Sequence, residues 1–203
     1  MKNSFRYSFI ALLFFVINAC NKDPEVLTKT IFSENFDTQN EWTLIADTIF
    51  FDPIFTPSFY VQEAKIESGN LYLSSRQQQS RCGNAIAKRD IDFSEINFEE
   101  SVLTIRLDNV KIGKTAFGTT EFSIIYNGKI YSKGIYTAPG TASTITLLFD
   151  GNKLYLPSYS LSPQYNIPST TEPDGIRLKA NGCGPDYFHS ASITVDGIRM
   201  YEN

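Results

Sequence analysis

From Ile31 to Tyr201 the chain reads as short runs in which apolar and polar residues alternate, parted by Gly, Asn, Asp and Pro. Period two with β-branched and aromatic residues is the signature of half-buried strands. In Ser101–Lys111, Leu103, Ile105, Leu107 and Asn109 share one face and Val102, Thr104, Arg106 and Asp108 the other, so one face supplies core and the other meets water. Asn127-Gly128 lies between two such runs, Glu121–Tyr126 and Lys129–Tyr136. That dipeptide predicts a type I′ hairpin, because both central residues need positive φ. Asp150-Gly151 predicts a second hairpin joining Thr144–Phe149 to Asn152–Leu156, and Ser192–Tyr201 reads as a closing strand. Helical periodicity is nearly absent. Ser94–Glu100 is too short to hold a helix alone and reads as a loop, and Ile91–Ser94 reads as the end of an edge strand leaving its sheet. Some ten or more strands with local hairpins and no βαβ rhythm predict an all-β fold, an antiparallel two-sheet β-sandwich.

The start of the chain breaks this pattern. Lys2 and Arg6 precede an apolar run, Phe9–Ile17, that is too short for a bilayer-spanning helix, and Ile17-Asn18-Ala19-Cys20 follows. This segment resembles a bacterial lipoprotein signal with its lipobox, which implies removal of residues 1–19 and acylation of Cys20. Residues 20–28 then form a polar, turn-prone tether, leaving 29–203 as a single domain. Lys22 followed by Asp23 and Glu25 resembles the surface-export signal of Bacteroidetes lipoproteins, with Pro24 interrupting the acidic run. The resemblance implies an outer-membrane lipoprotein of the cell envelope, exposed at the surface and held by lipid alone. Asp47-Thr48-Ile49 resembles an O-glycosylation acceptor of the same phylum.

Composition narrows the partners. The formal charge is −4 before processing and more negative after it, and no run of Lys or Arg occurs. Phosphate backbones demand clustered cations, so nucleic acid is excluded as a partner, as is a polybasic hold on membrane. With Cys20 acylated, Cys82 and Cys183 remain, in a compartment that permits disulfides. Both lie in Gly-marked contexts rather than apolar runs, which favours a bridge over two buried free thiols. A single His, His189, offers neither zinc-type spacing nor a Ser-His-Asp set.

Three segments carry a second resemblance. Ile31–Asp37 followed by Trp42, Ile66–Leu73 with its Ser-Gly-Asn turn, and Ile193–Tyr201 are similar, in that order, to the first, an early and the last strands of the concanavalin A-like jelly-roll superfamily. That superfamily holds laminin G-like modules, lectins and family 16 glycoside hydrolases. It implies a jelly roll and, as the best reading of function, a non-catalytic glycan-binding or adhesion-type module. Its hydrolases carry Glu-x-Asp-x-x-Glu on one strand, since a retaining mechanism needs two carboxylates about 5 Å apart. The nearest string here runs Asp90-Ile91-Asp92-Phe93-Ser94-Glu95 and opens on Asp rather than Glu. A solvated strand end is the preferred reading. Asp90, Asp92 and Glu95 stand as the catalytic candidates of an alternative, hydrolase-like enzyme. Where the superfamily holds a structural calcium between first and last strands, Glu34 and Asp196 supply carboxylates; the other reading makes Glu34 solvent-facing and Asp196-Gly197 a bulge. No cofactor is implied beyond that calcium.

Aromatics in Pro-marked stretches are the candidate ligand contacts. Tyr155, Tyr159 and Tyr165 lie around Pro157, Pro163 and Pro168, and Phe50, Phe51, Phe55, Phe59 and Tyr60 around Pro53 and Pro57. Sugar rings stack their C–H faces on such rings, with Gln77, Gln78, Gln79 and Asn166 nearby to bond hydroxyls. The competing reading is that the loops fold these rings down over the ends of the sandwich. A third role, as a partner-binding subunit of an envelope assembly, needs an exposed apolar patch instead.

Overall fold

A computed structural model of the chain describes residues 29–38, 41–46, 62–77, 82–115, 117–138, 140–157, 172–183 and 189–203. The leader, Cys20, the tether, Thr48, the Phe50–Tyr60 aromatics, Gln78, Gln79, Tyr159, Tyr165 and Asn166 lie outside these residues. Thirteen strands follow in chain order: β1 (Lys29–Glu34), β2 (Thr43–Ala46), β3 (Glu63–Glu67), β4 (Asn70–Arg76), β5 (Gly83–Asp90), β6 (Leu103–Lys114) and β7 (Thr119–Tyr126). After them come β8 (Lys129–Gly134), β9 (Ser143–Phe149), β10 (Leu154–Tyr155), β11 (Gly175–Gly182), β12 (Ser190–Val195) and β13 (Gly197–Glu202). They form two antiparallel sheets, as the alternation predicts. The smaller has the order β2-β5-β11-β7-β8; the larger runs β1-β13-β6-β12-β4-β3, with β9 on the free side of β6 and β10 on β9.

The two sheets press their alternate residues together. Leu103, Ile105 and Leu107 of β6 are fully buried, and Leu71, Leu73, Ile193, Met200 and Leu147 join them from the larger sheet. Phe122, Ile124, Ile176, Leu178, Ala85 and Ala87 answer from the smaller one. Each Leu, Ile, Met or Phe among them contributes about 1.5–3 kcal/mol by leaving water. The predicted faces of Ser101–Lys111 hold as far as Asp108. Asn109 then takes φ 49° and turns outward, and the register on β9 jumps from Leu107↔Ile145 to Val110↔Ser143. One inserted residue returns Val110 and Ile112 to the core, where strict alternation would have put them in water.

Both hairpins form. Asn127 and Gly128 have φ of 46° and 72°, as a type I′ turn requires. At the second, Asp150 Oδ1 accepts from the Asn152 and Lys153 amides, 2.9 and 2.7 Å away, and Gly151 supplies a φ of 84°. Ser94–Glu100 makes turns only. β5, whose end was read as an edge strand, runs between β2 and β11, so Ile91–Ser94 leave the sheet interior.

One end of the sandwich is closed by a glycine pair. Gly83 and Gly182 face each other across β5 and β11. A Cβ on Gly83 would meet the Arg76 carbonyl at 2.5 Å, and one on Gly182 the His189 carbonyl at the same distance, so no larger residue fits. The Gly182 amide donates across to Ser75 Oγ of the opposite sheet at 2.6 Å. Directly beyond the pair, Cys82 and Cys183 form the expected disulfide, with Cα atoms 4.6 Å apart and 101 positions of chain between them.

Closing so long a loop restricts the unfolded chain by an amount worth about 4 kcal/mol in the chain-entropy model. Cys82→Ser with Cys183→Ser is therefore expected to lower stability by about 2–5 kcal/mol, read from the urea midpoint at unchanged slope. A second outcome concerns Lys133, which points inward from β8 opposite Phe122, is 6% exposed, and has no hydrogen bond or ion pair among the described residues. Burial pushes its pKa down. Lys133→Met is expected to raise stability by about 1 kcal/mol, seen as a higher melting temperature.

Candidate ligand-binding face

The carboxylates expected of a hydrolase do not converge. Asp90, at the end of β5, is exposed and pairs with Lys88 at 2.8 Å; Glu95 is exposed and pairs with Lys29 at 3.0 Å. Asp92 accepts from the Ser94 amide at 2.9 Å, and hydrogen bonding to Ser94 holds its carboxyl below the usual range. A general acid needs the opposite shift.

Glu34 and Asp196 do approach one another, on the rim of a hollow of about 600 Å³ that Asp108, Asn109 and Arg199 also line. Their carboxylates are engaged separately. Glu34 lies between the sheets at 11% side-chain exposure, where Oε2 accepts from Arg89 Nη1 and Trp42 Nε1, both at 3.0 Å, and Oε1 from the Phe36 amide at 2.7 Å. The Arg89 guanidinium also sits 5.2 Å from the Phe32 ring centre and 5.9 Å from that of Trp42, and reaches Glu41. This clasp joins β1 to β5 across the sandwich, so Glu34 is not the solvent-facing residue of the bland reading. Asp196 is the bulge of that reading: it separates β12 from β13, and its carboxylate accepts from Asn109. Beside it, Arg106 and Arg199 hold Asp108 at 2.6 and 3.0 Å.

Among the expected ligand contacts, Tyr155 is a strand residue rather than a loop residue. It pairs with Leu148 on the outward side of the larger sheet and is half-buried. Gln77 is 3% exposed, and its amide donates to the His189 carbonyl at 2.6 Å, which takes it away from any surface role. A hollow of about 790 Å³ beside Asn97–Val102 and Asp150–Asn152 is lined by Glu99, Glu100, Asp150 and Glu172.

A different surface emerges from the strand register. On the outward face of the five-stranded sheet, Thr43↔Lys88, Lys88↔Arg177, Arg177↔Ser123 and Ser123↔Ser132 stand opposite one another. They form one polar row across all five strands. Asn84↔Asn181↔Thr119 forms a second row four residues along, and Ile45, Ile86, Lys179 and Glu121 occupy the row between. Arg177 is the centre, with a side chain only 12% exposed. Its Nη2 donates to Ser132 Oγ at 3.1 Å and Ser123 Oγ at 3.3 Å, and the nearest acid, Glu121, lies 3.6 Å away. Burial lowers its pKa, against the opposing pull of Glu121. Among the described residues, three buried polar atoms on this face have no hydrogen-bond partner: Arg177 Nε, Asn181 Oδ1 and Thr119 Oγ1. Buried polar atoms are nearly always satisfied, so three orphans among the described residues of one face set that face apart.

No family model matches the chain, and no curated protein is similar to it. A solved structure that resembles it is the CBM2 module of the evolved Dit of Lactobacillus casei BL23 phage J-1. The two are 12% identical, the match covers 86% of this chain and 95% of that one, and the TM-score is 0.47.

Sequence reasoning passed over the Arg177 face. Arg177, Lys179 and Asn181 alternate with Ile176, Leu178 and Ala180, as in any half-buried strand. The polar half acquires meaning only once register sets it beside Lys88, Ser123 and Thr119. The clasp, which is structural, gives a test of its own. Arg89→Met removes the charge partner of Glu34 and is expected to cost about 2 kcal/mol, less than a fully buried pair because both groups touch solvent. Arg89→Met with Glu34→Gln should recover part of that loss in the same urea titration.

Proposed function

We propose that this protein is a lipid-anchored, non-catalytic glycan-binding module of the cell envelope, tethered through Cys20, that takes its ligand on the outward face of the five-stranded sheet. The observation that carries this reading is the pair of polar rows on that face, Thr43, Lys88, Arg177, Ser123 and Ser132 in one and Asn84, Asn181 and Thr119 in the other, to which three orphaned atoms belong. Arg177 Nε can only donate, Asn181 Oδ1 can only accept, and Thr119 Oγ1 does both. Asn181 and Thr119 stand side by side across β11 and β7, and Arg177 lies four residues away along β11, about 13 Å, so a ligand that spans all three carries donors and acceptors over several rings, as an oligosaccharide does. Ser123 and Ser132 add two more hydroxyls in the same row as Arg177. Ile45 and Ile130, 45% and 46% exposed on this side of the sheet, provide apolar ground at its two edge strands for ring C–H faces. The polar rows support this site ahead of Tyr155, which belongs to the other sheet, and the dispersed Asp90, Asp92 and Glu95 give a hydrolase no support.

A lipid tether suits such a role, since a domain held at a surface gains effective concentration toward ligands there. The test is a glycan array probed with the full chain, followed by titration of the best ligand. Asn181→Ala and Thr119→Ala are each expected to weaken binding by about 3- to 10-fold, with melting temperatures unchanged or raised because each removes an unsatisfied group. An array without binding, or affinity indifferent to both substitutions, overturns the reading. Acylation is tested separately: labelled palmitate should enter the wild-type chain and not Cys20→Ala.

A further inference from the structure

Resting on the glycan reading and adding to it, we infer that the chain holds a second sugar site, on the outward side of the larger sheet, in the hollow of about 600 Å³ between β1 and β13, and that this site takes an uncharged sugar. Thr30, Ser33, Asn35, Asn109, Arg199 and Tyr201 line the hollow, and none of the six is buried. A ligand from solvent therefore reaches them. Small-molecule sites run from about 300 to 1,000 Å³, so the volume suits one. Gly197 keeps the floor clear: a Cβ there would stand 3.1 Å from the Glu34 carbonyl and 3.7 Å from Asp108 Oδ2.

Strand register sets the polar groups. Arg199 on β13 stands directly opposite Arg106 on β6, and two cations so placed repel. Asp108 offsets this by accepting from Arg106 Nε on one oxygen at 2.6 Å and holding Arg199 Nη2 with the other at 3.0 Å. Both guanidinia are thereby fixed, yet their side chains remain 46% and 48% exposed. Donors and acceptors stand side by side, as a hydroxyl that both gives and takes a hydrogen bond requires. Charge decides the class of sugar. Asp108 and Asp196 answer Arg106 and Arg199, and Arg89 answers Glu34, so the hollow favours neither an anion nor a bare cation. Tyr201 adds an aromatic wall for ring C–H faces. Its row continues through Thr104 and Leu148 to Tyr155, three strand spacings or about 14 Å away, so a chain of several sugars leaving the hollow meets a second tyrosine. An extended peptide would need an open strand edge, and β13 is paired on both sides, by β1 and β6.

The experiment titrates the full chain with neutral gluco-, xylo-, manno- and galacto-oligosaccharides by calorimetry and counts sites per chain. At least one of these sugars is expected to fill two sites, and its affinity for the site in the hollow should be indifferent to salt, since no net charge is neutralised there. Arg199→Ala is expected to weaken that site about 10-fold, the loss of hydrogen bonds to a charged donor, while Arg106 continues to hold Asp108. Tyr201→Ala should weaken it similarly and Tyr201→Phe much less. Ser33→Trp, at an exposed position of the lining, should fill the hollow and abolish the site, and guards against a Tyr201 variant that fails to fold. Two sites that persist unweakened in folded Arg199→Ala and Ser33→Trp would overturn the assignment to the hollow. A single site that responds to Asn181→Ala and Thr119→Ala alone would do the same and leave glycan binding standing. A single site that responds only to Arg199→Ala and Ser33→Trp would support the hollow and take the ligand away from the smaller sheet. Affinity in the hollow that falls steeply with salt would overturn the choice of an uncharged sugar. Neutral sugars that all fail while charged glycans bind on the array would overturn the second site alone, and an array without any binding would remove the glycan reading beneath it.

Discussion

The larger sheet hangs on one ladder, in which the last thirteen-odd residues of the domain lie along β6 from end to end. β12 pairs with Lys111–Lys114 and β13 with Leu103–Asp108, so the two strands act as a single bent one. On its other side that bent strand carries β4 and then β1. The bend is matched on both partners. Asn109 is inserted in β6 where Asp196 is inserted between β12 and β13, the Asp196 amide donates to the Asp108 carbonyl at 3.1 Å, and the two side chains bond to each other. An insertion in one strand alone would flip every residue beyond it to the wrong side. Made on both, it curves the sheet locally and keeps Val110, Ile112, Ile193 and Val195 in the core.

Against that frame the smaller sheet does two jobs with alternate residues. Ile176, Leu178 and Ala180 pack inward while Arg177, Lys179 and Asn181 look out. The inward set is apolar and closely packed. The outward set holds a nearly buried guanidinium and unsatisfied amide and hydroxyl oxygens, an arrangement that costs free energy in the empty protein and that a core would not tolerate. Strain of this kind, sited on an outward face rather than inside, is where binding energy can be recovered.

How much of this was legible beforehand differs by level. Strand alternation, the Asn127-Gly128 and Asp150-Gly151 turns and the Cys82–Cys183 bridge all follow from local chemistry, and all are present. The bulge at Asn109 was not visible, because an extra residue in a strand declares itself only against its partner. Glu34 misled for a related reason: nothing near it in sequence announces Arg89, 55 positions away. The polar outward face of the smaller sheet was the least legible. Thr43, Lys88, Ser123, Ser132 and Arg177 are unremarkable polar residues in five separate strands, and only non-local register makes a row of them.

That row also separates what the scaffold must keep from what it is free to change. Each strand of the smaller sheet spends one set of positions on holding the two sheets together and leaves the intervening set outside that contact. Substituting Lys88 or Asn181 alters the chemistry of the outward face while the Ala87 and Ala180 beside them continue to fill the interior. The sheet therefore behaves like a keyboard: its frame is fixed by the inward residues, and a descendant lineage or an engineer can retune selectivity one key at a time without rebuilding the fold.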